Sequence, residues 1–256
     1  MNGDQLKEAL KRHKLWMEGK EGGKRLDLSG ENLRGAILRG ADLSEADLAG
    51  ADLTESNLEE ATLTNSKLTE ATLEGSSLSR AKIVNADLTK ILAPDAELEQ
   101  AHMDGSSLNE AELAGADMKS AKLAKAHLIK ANLAKSDLTD AVLVETEMRE
   151  ADLREAKAIA ADFSNSDLSG SKLARCNVVA GDFILFDRKF PLPAFQYAPY
   201  AGGSKRGLVG IGSDGSIAYR QVVYVNEIIV GQSVGHGEGP VIGSTWSYFD
   251  PSLADI

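Results

Sequence analysis

The sequence predicts an all-β solenoid: a long, narrow stack of short coils, opened by a helix and followed by a small β-rich region. Three observations carry this prediction. Residues 26–185 divide without a slip into 32 five-residue blocks whose third residue is always apolar. The first residue of nearly every block is small. The flanking segments, residues 1–25 and 186–256, lose the period altogether. Aromatics make up only 5% of the chain, so leucine and alanine must fill the interior that aromatics usually anchor.

The period of five sets the local geometry. The third positions begin Leu28, Leu33, Leu38 and run on to Val178 and Phe183; 23 of the 32 are leucine. The others are Ile83, Ala93, Met103, Met118, Met148, Ala158, Phe163, Val178 and Phe183. The first position is Ala, Ser, Thr, Cys or Gly in 29 blocks, the exceptions being Leu26, Glu31 and Ile91. The residue between is usually polar and often Asp, as in Ala41-Asp42-Leu43, while the last two vary and are mostly polar. A helix would smear these leucines around its circumference, and a strand would send alternate ones to opposite faces. The backbone must therefore turn once per block, with one large and one small residue facing inward. At Ile91–Ala93 the two sizes are exchanged, a compensated interior volume, and Pro94 marks a local deviation.

This block, A(D/N)LXX over residues 26–185, resembles the pentapeptide-repeat proteins. The resemblance implies a right-handed quadrilateral β-helix with four blocks per coil, hence about eight coils and a rod of about 40 Å at a strand spacing of about 4.8 Å. Residues 20 apart then stack. The charges follow: Glu70, Lys90, Glu110, Lys130 and Glu150 alternate in sign, as do Lys135, Glu155, Arg175 and Asp47, Lys67, Asp87. Lys125 faces Glu145 and Glu60 faces Arg80 in the same way. Asn65 and Asn85 are spaced for an amide ladder, and Phe163 and Phe183 for an aromatic stack.

A solenoid needs capped ends. In residues 4–18, Leu6, Ala9, Leu10, His13, Trp16 and Met17 fall on one helical stripe, expected over the first coil, with Asp4 as N-cap and Gly19 as the stop. Lys7, Lys11, Arg12 and Lys14 fall on the opposite, solvated face. The leader before the first repeat resembles those of bacterial and prophage pentapeptide-repeat proteins. In residues 186–256, Leu208–Ile211 and Ile217–Val225 around Ser213-Asp214-Gly215 read as a hairpin. Ile228–Val230 and Val241–Phe249 are further strand candidates. The region is expected to cap the rod, join copies end to end or hold a partner.

No sequence pattern for chemistry emerges, so no catalytic, cofactor-binding or metal-ligating residue is assigned. Gly210-Ile211-Gly212 leads into a hairpin turn and not a phosphate loop. His102 and His127 are 25 apart, on adjacent faces. His236-Gly237-Glu238 sits in a glycine-rich loop, and Cys176, at a small inward position, reads as an inert buried thiol. The recurrent Asp is a feature of the repeat, not half of an acid/base pair.

Net charge is −11, with +3 in residues 1–25, −1 in 186–256 and −13 in the repeats, which disfavours direct contact with nucleic acid or anionic membrane. A lone cysteine, no apolar leader and no long apolar run make a cytoplasmic protein the expectation. The expected function is a non-catalytic interaction scaffold with a protein partner, able to form homo-oligomers through its C-terminal region. The alternative implied by the resemblance is regulation of DNA gyrase by DNA mimicry, as some family members protect or inhibit type II topoisomerases. Against it, the columns alternate in sign, and Lys119, Lys122, Lys125, Lys130 and Lys135 interrupt the acid midway. Catalysis by the C-terminal region, with the rod as a handle, is a third reading, and a prophage or virion structural part is a variant of the first.

Overall fold

The structure, a computed structural model, describes residues 1–177 and three strands beyond them. The first element is helix α1, Gly3–Met17. Its N-cap is Asn2 and not the expected Asp4: Asn2 Oδ1 accepts from the Gln5 N–H, and Gln5 Oε1 accepts from the Asn2 N–H, each at 2.9 Å. This reciprocal box satisfies two donors that the first turn leaves open. Asp4 sits further in, where its charge still favours the positive end of the helix. At the other end Gly19 has φ +65°, its N–H donates to Trp16 C=O and the Lys20 N–H to Leu15 C=O. That is a Schellman stop, which needs the left-handed conformation glycine supplies. Leu6, Ala9 and Leu10 pack on the core of the rod, whereas Met17 is largely exposed.

His13 joins helix to coil. It is fully buried, its Nδ1 accepts the Leu26 N–H at 3.1 Å, and its ring stacks on Trp16 at 5.6 Å. An accepting Nδ1 fixes the tautomer that carries its hydrogen on Nε2.

From Asp27 the chain winds. Parallel bridges join Asp27 to Asp47, Asp47 to Lys67, and so on without a shift to Lys157 and Asn177. The 20-residue step puts four blocks in each coil. The block 51–55 shows how its five backbone N–H groups are used. Ala51 donates back to Leu48 C=O (3.0 Å), Asp52 to Glu31 of one neighbouring coil (3.0 Å), and Leu53 and Glu55 to Thr72 and Glu74 of the other (2.7 and 2.9 Å). The fifth donor, Thr54 N–H, goes to the Asp52 side chain at 3.1 Å.

Every fifth position from Gly30 to Arg175 has positive φ. Each corner is thus a turn whose third residue is left-handed, as in type II, and this bends the chain once per block. The structure corrects the expectation that this position varies freely. Its side chain varies, but its backbone conformation does not. At Gly105 (φ +67°) an added Cβ would lie 2.5 Å from Asn85 Oδ1, so a larger residue there would have to push that amide aside.

The interior is the row of third-position side chains, from Leu28 to Leu173, all buried, with first-position alanines between them. Those alanines are buried too, except Ala36 and Ala41 near the start of the rod, which are partly so. Ser66, Ser76, Ser106 and Ser136 also fit at the small position, because each hydroxyl donates to the carbonyl three residues back at 2.6–2.8 Å. Unbonded, a buried hydroxyl would cost about 1–3 kcal/mol. Ile91 and Ala93 are both buried, so the exchange of sizes is compensated, while Leu92 points outward and is 47% exposed. Pro94 causes no break: Ala93 and Asp95 donate to the next coil at 2.8 and 3.0 Å. The position it occupies uses no ladder N–H, and Leu92 could not have capped one.

Beyond the repeats, β1 (Lys205–Ile211), β2 (Ile217–Val223) and β3 (Ser233–Gly235) form an antiparallel sheet in that order. The register runs from Lys205 opposite Val223 to Ile211 opposite Ile217, matching the expected hairpin. The third strand follows later than Ile228–Val230, which lies outside the described residues, as do Val178, Phe183, Ser213–Gly215, His236–Glu238 and Val241–Phe249.

Candidate interaction surface

Each face of the rod presents three outward columns, from the second, fourth and fifth positions of its blocks. The second-position carboxylates are occupied. Asp42, Asp47, Asp52, Asp87, Asp117, Asp137, Asp152, Asp162 and Asp167 each accept the N–H two residues on at 2.9–3.2 Å, and Asn32, Asn57 and Asn132 do the same. They close the one backbone donor the ladder leaves over, a local side-chain turn that Asp and Asn make best.

At Asp52, Asp137, Asp152 and Asp167 this bonding lowers the pKa. Thr54's hydroxyl, then its N–H, hold Asp52 below the usual aspartate value. At Asp137 burial pushes upward most strongly, but the Thr139 hydroxyl and N–H, with Lys119 and Lys157, outweigh it and the net shift is downward. Asp152 and Asp167 balance the same way, against Arg154 with Lys172 and against Ser169 with Arg149.

The fifth-position columns pair off in twos. Lys90 lies 3.8 Å from Glu110, Lys130 3.9 Å from Glu150 and Lys125 3.8 Å from Glu145. Among the described residues no ion pair joins Glu70 to Lys90, Glu110 to Lys130 or Lys135 to Glu155; Glu155 is taken by Arg175. Arg39 and Arg80 sandwich Glu59 and Glu60, with Arg39 at 2.9 and 3.2 Å and Arg80 at 2.9 Å from Glu60. These pairs are about half exposed, so each contributes about 0–1 kcal/mol. Lys67 bridges Asp47 and Asp87 through the backbone without an ion pair. The amide ladder between Asn65 and Asn85 does not form. Both are left-handed corner residues, and the Asn85 amide leans over Gly105 instead.

His102 and His127 are held apart on different columns, and His127 Nδ1 sits 3.3 Å from Glu147. Cys176 is buried, and burial pushes its thiol up to about 12, far from a reactive thiolate. Lys7, Lys11, Arg12 and Lys14 are exposed on α1. Among the described residues no group of His, Cys, Asp and Glu is placed to hold a metal, and no helix is long and apolar enough to cross a membrane. One column went unnoticed in the sequence. Lys82, His102 and Lys122 stack directly, and reading every twentieth residue would have found them.

The sequence model of pentapeptide repeats matches in eight copies, at residues 25–55, 56–91, 95–128 and 121–157. No curated protein sequence matches. Among solved structures, HetL, a pentapeptide-repeat protein involved in heterocyst differentiation regulation from the cyanobacterium Nostoc sp. strain PCC 7120, is 32% identical. That match covers 67% of this chain and 71% of HetL with a TM-score of 0.36. A trypsin-treated variant of QnrB1, a plasmid-mediated fluoroquinolone resistance protein, is 19% identical over 65% of this chain and 87% of its own, TM-score 0.37. Rfr23 from the cyanobacterium Cyanothece 51142 is 18% identical over 65% and 93%, TM-score 0.30.

Proposed function

Because the chain belongs to the pentapeptide-repeat family, whose fold is the right-handed quadrilateral β-helix, we propose that it is a non-catalytic, cytoplasmic protein-interaction scaffold. Residues 1–25 cap the rod, residues 26–185 form about eight coils of rigid spacer, and residues 186–256 are the module that joins copies or holds a partner. The observation that carries this reading is the use made of the carboxylates. The recurrent aspartates are bonded to backbone N–H groups and many exposed glutamates to arginine or lysine. Such a surface is suited to holding shape and presenting patterns, with many of its acids already engaged. The same pairing weakens the gyrase reading, since a DNA mimic needs a sustained run of unpaired negative charge.

The test is capture from a bacterial lysate, read by mass spectrometry, with the full chain and a 1–185 truncation whose fold is checked by circular dichroism. Partners or self-association lost with residues 186–256 support the scaffold. Gyrase subunits retained by both would favour DNA mimicry. Failure of the full chain to retain any protein above a resin control would sink the reading.

A further inference from the structure

The second-position column of one face reads Asp42, Thr62, Lys82, His102, Lys122, Val142, Asp162. Two lysines flank a histidine on successive coils, about 4.8 Å apart, with Thr62 and Val142 above and below. Elsewhere a second-position lysine has a carboxylate as ladder neighbour: Lys67 lies between Asp47 and Asp87, Lys157 beside Asp137, Lys172 beside Asp152. Among the described residues Lys82, His102 and Lys122 make no ion pair, and both lysines are exposed. Both lysines thus stand with no carboxylate as ladder neighbour, although the block tolerates almost any residue here. Beside them the fourth-position column carries Val84, Ala124 and Val144, partly exposed. Asp104, the one acid in that column, turns an oxygen to the Ala124 N–H at 2.9 Å.

We propose that this face docks a short extended segment of a partner protein that alternates acidic and aliphatic side chains. The proposal rests on the scaffold reading and names its contact. In an extended chain, side chains on one side repeat about every 7 Å, so two carboxylates lie within reach of a basic column about 10 Å long. Lying edge-on between the two columns, the segment turns its acidic side chains to the lysines and the alternate aliphatic ones, on its opposite side, to the valines and Ala124. Charge complementarity decides the class of partner. A nucleic acid carries charge well beyond three coils and would run into Asp42, Asp162 and the acidic remainder of the rod, whereas a short acidic segment ends where the basic column ends.

The experiment is fluorescence anisotropy with the full chain and a labelled peptide alternating glutamate and valine. A lysine–valine peptide and a labelled oligothymidylate serve as comparators. The Glu–Val peptide should bind at low salt and lose affinity as salt rises. His102→Glu and the double variant Lys82→Glu/Lys122→Glu should each weaken it by at least about tenfold, while Lys7→Ala leaves it unchanged. His102→Glu should also raise the thermal midpoint by roughly 1–3 °C, because it puts a carboxylate between two lysines. No binding by the full chain, binding indifferent to both variants, or oligothymidylate bound as tightly would overturn the proposal. A lower midpoint for His102→Glu would remove its premise that the two lysines stand without a carboxylate partner. If the wild-type chain and His102→Glu retain the same lysate partner equally, the scaffold reading stands and this contact falls. If the full chain retains no partner, the scaffold reading fails whatever the peptide does.

Discussion

The inside and the outside of the rod obey one period but different energetics. Inward, the third and first positions are mostly Leu and Ala, and most of them are buried. Outward, the side chains carry most of the variation, and the interactions there are half-exposed pairs. The difference teaches that one rule fixes the shape and another, much weaker, decorates it. Cutting Leu113 to Ala in the middle of the rod should cost about 3 kcal/mol, since a buried leucine with rigid neighbours above and below leaves a cavity. Chemical denaturation reads the loss; a cost below about 1 kcal/mol would mean that the coils collapse to fill the space.

The turn-forming carboxylates stand between the two regimes. Asp137→Ala should destabilise by about 1–2 kcal/mol, leaving the Thr139 N–H and hydroxyl without their acceptor, while Asp137→Asn, which keeps the accepting oxygen, should lose less. An asparagine variant as damaged as the alanine one would assign the effect to the ion pairs with Lys119 and Lys157 instead. The same group of aspartates sets the acid limb. Asp137, Asp152 and Asp167 have folded values below 3.8. The unfolded chain therefore holds those protons more tightly, and the stability they give is fully present above about pH 4. It is lost as pH falls through the lower folded values. Thermal midpoints at pH 7 and pH 3 should drop toward acid, and a rise would reverse the sign argued here.

The corners give smaller effects of both signs. Ser120 holds φ +53°, so Ser120→Gly should gain about 0.5 kcal/mol after the extra freedom of the unfolded glycine is counted. Smallest of all, Lys130→Ala should change stability by at most about 0.5 kcal/mol and become indistinguishable from wild type in high salt. A larger, salt-resistant loss would mean that the outward columns are part of what fixes the shape.

How much of this was legible in the sequence follows the same division. The inward rows were plain, because burial repeated at a fixed spacing leaves few alternatives. The corner conformation was hidden. Glycine marks it at Gly30, Gly35, Gly40 and Gly50, but glutamate and lysine take it elsewhere. A cost of about 1–2 kcal/mol per left-handed residue is small enough for a continuous ladder to absorb. The aspartates were recognised as belonging to the repeat, but the N–H they serve belongs to the backbone, which residue types do not display. The helix start is legible too: Asn2 and Gln5 have the spacing of a reciprocal cap, two positions before Asp4. The Lys82, His102, Lys122 column is legible in residues 20 apart, as a departure from the charge alternation of other columns.

The ladder from each residue to the one 20 later has a consequence for how such a rod evolves. Gain or loss of a whole coil lengthens or shortens it and keeps every downstream face pointing as before. Gain or loss of a single block keeps every leucine inside, yet turns all that follows through a quarter of a revolution. The chain can therefore re-aim whatever its far end carries by an indel of five residues, a rotation made in the gene with no rewriting of the interior.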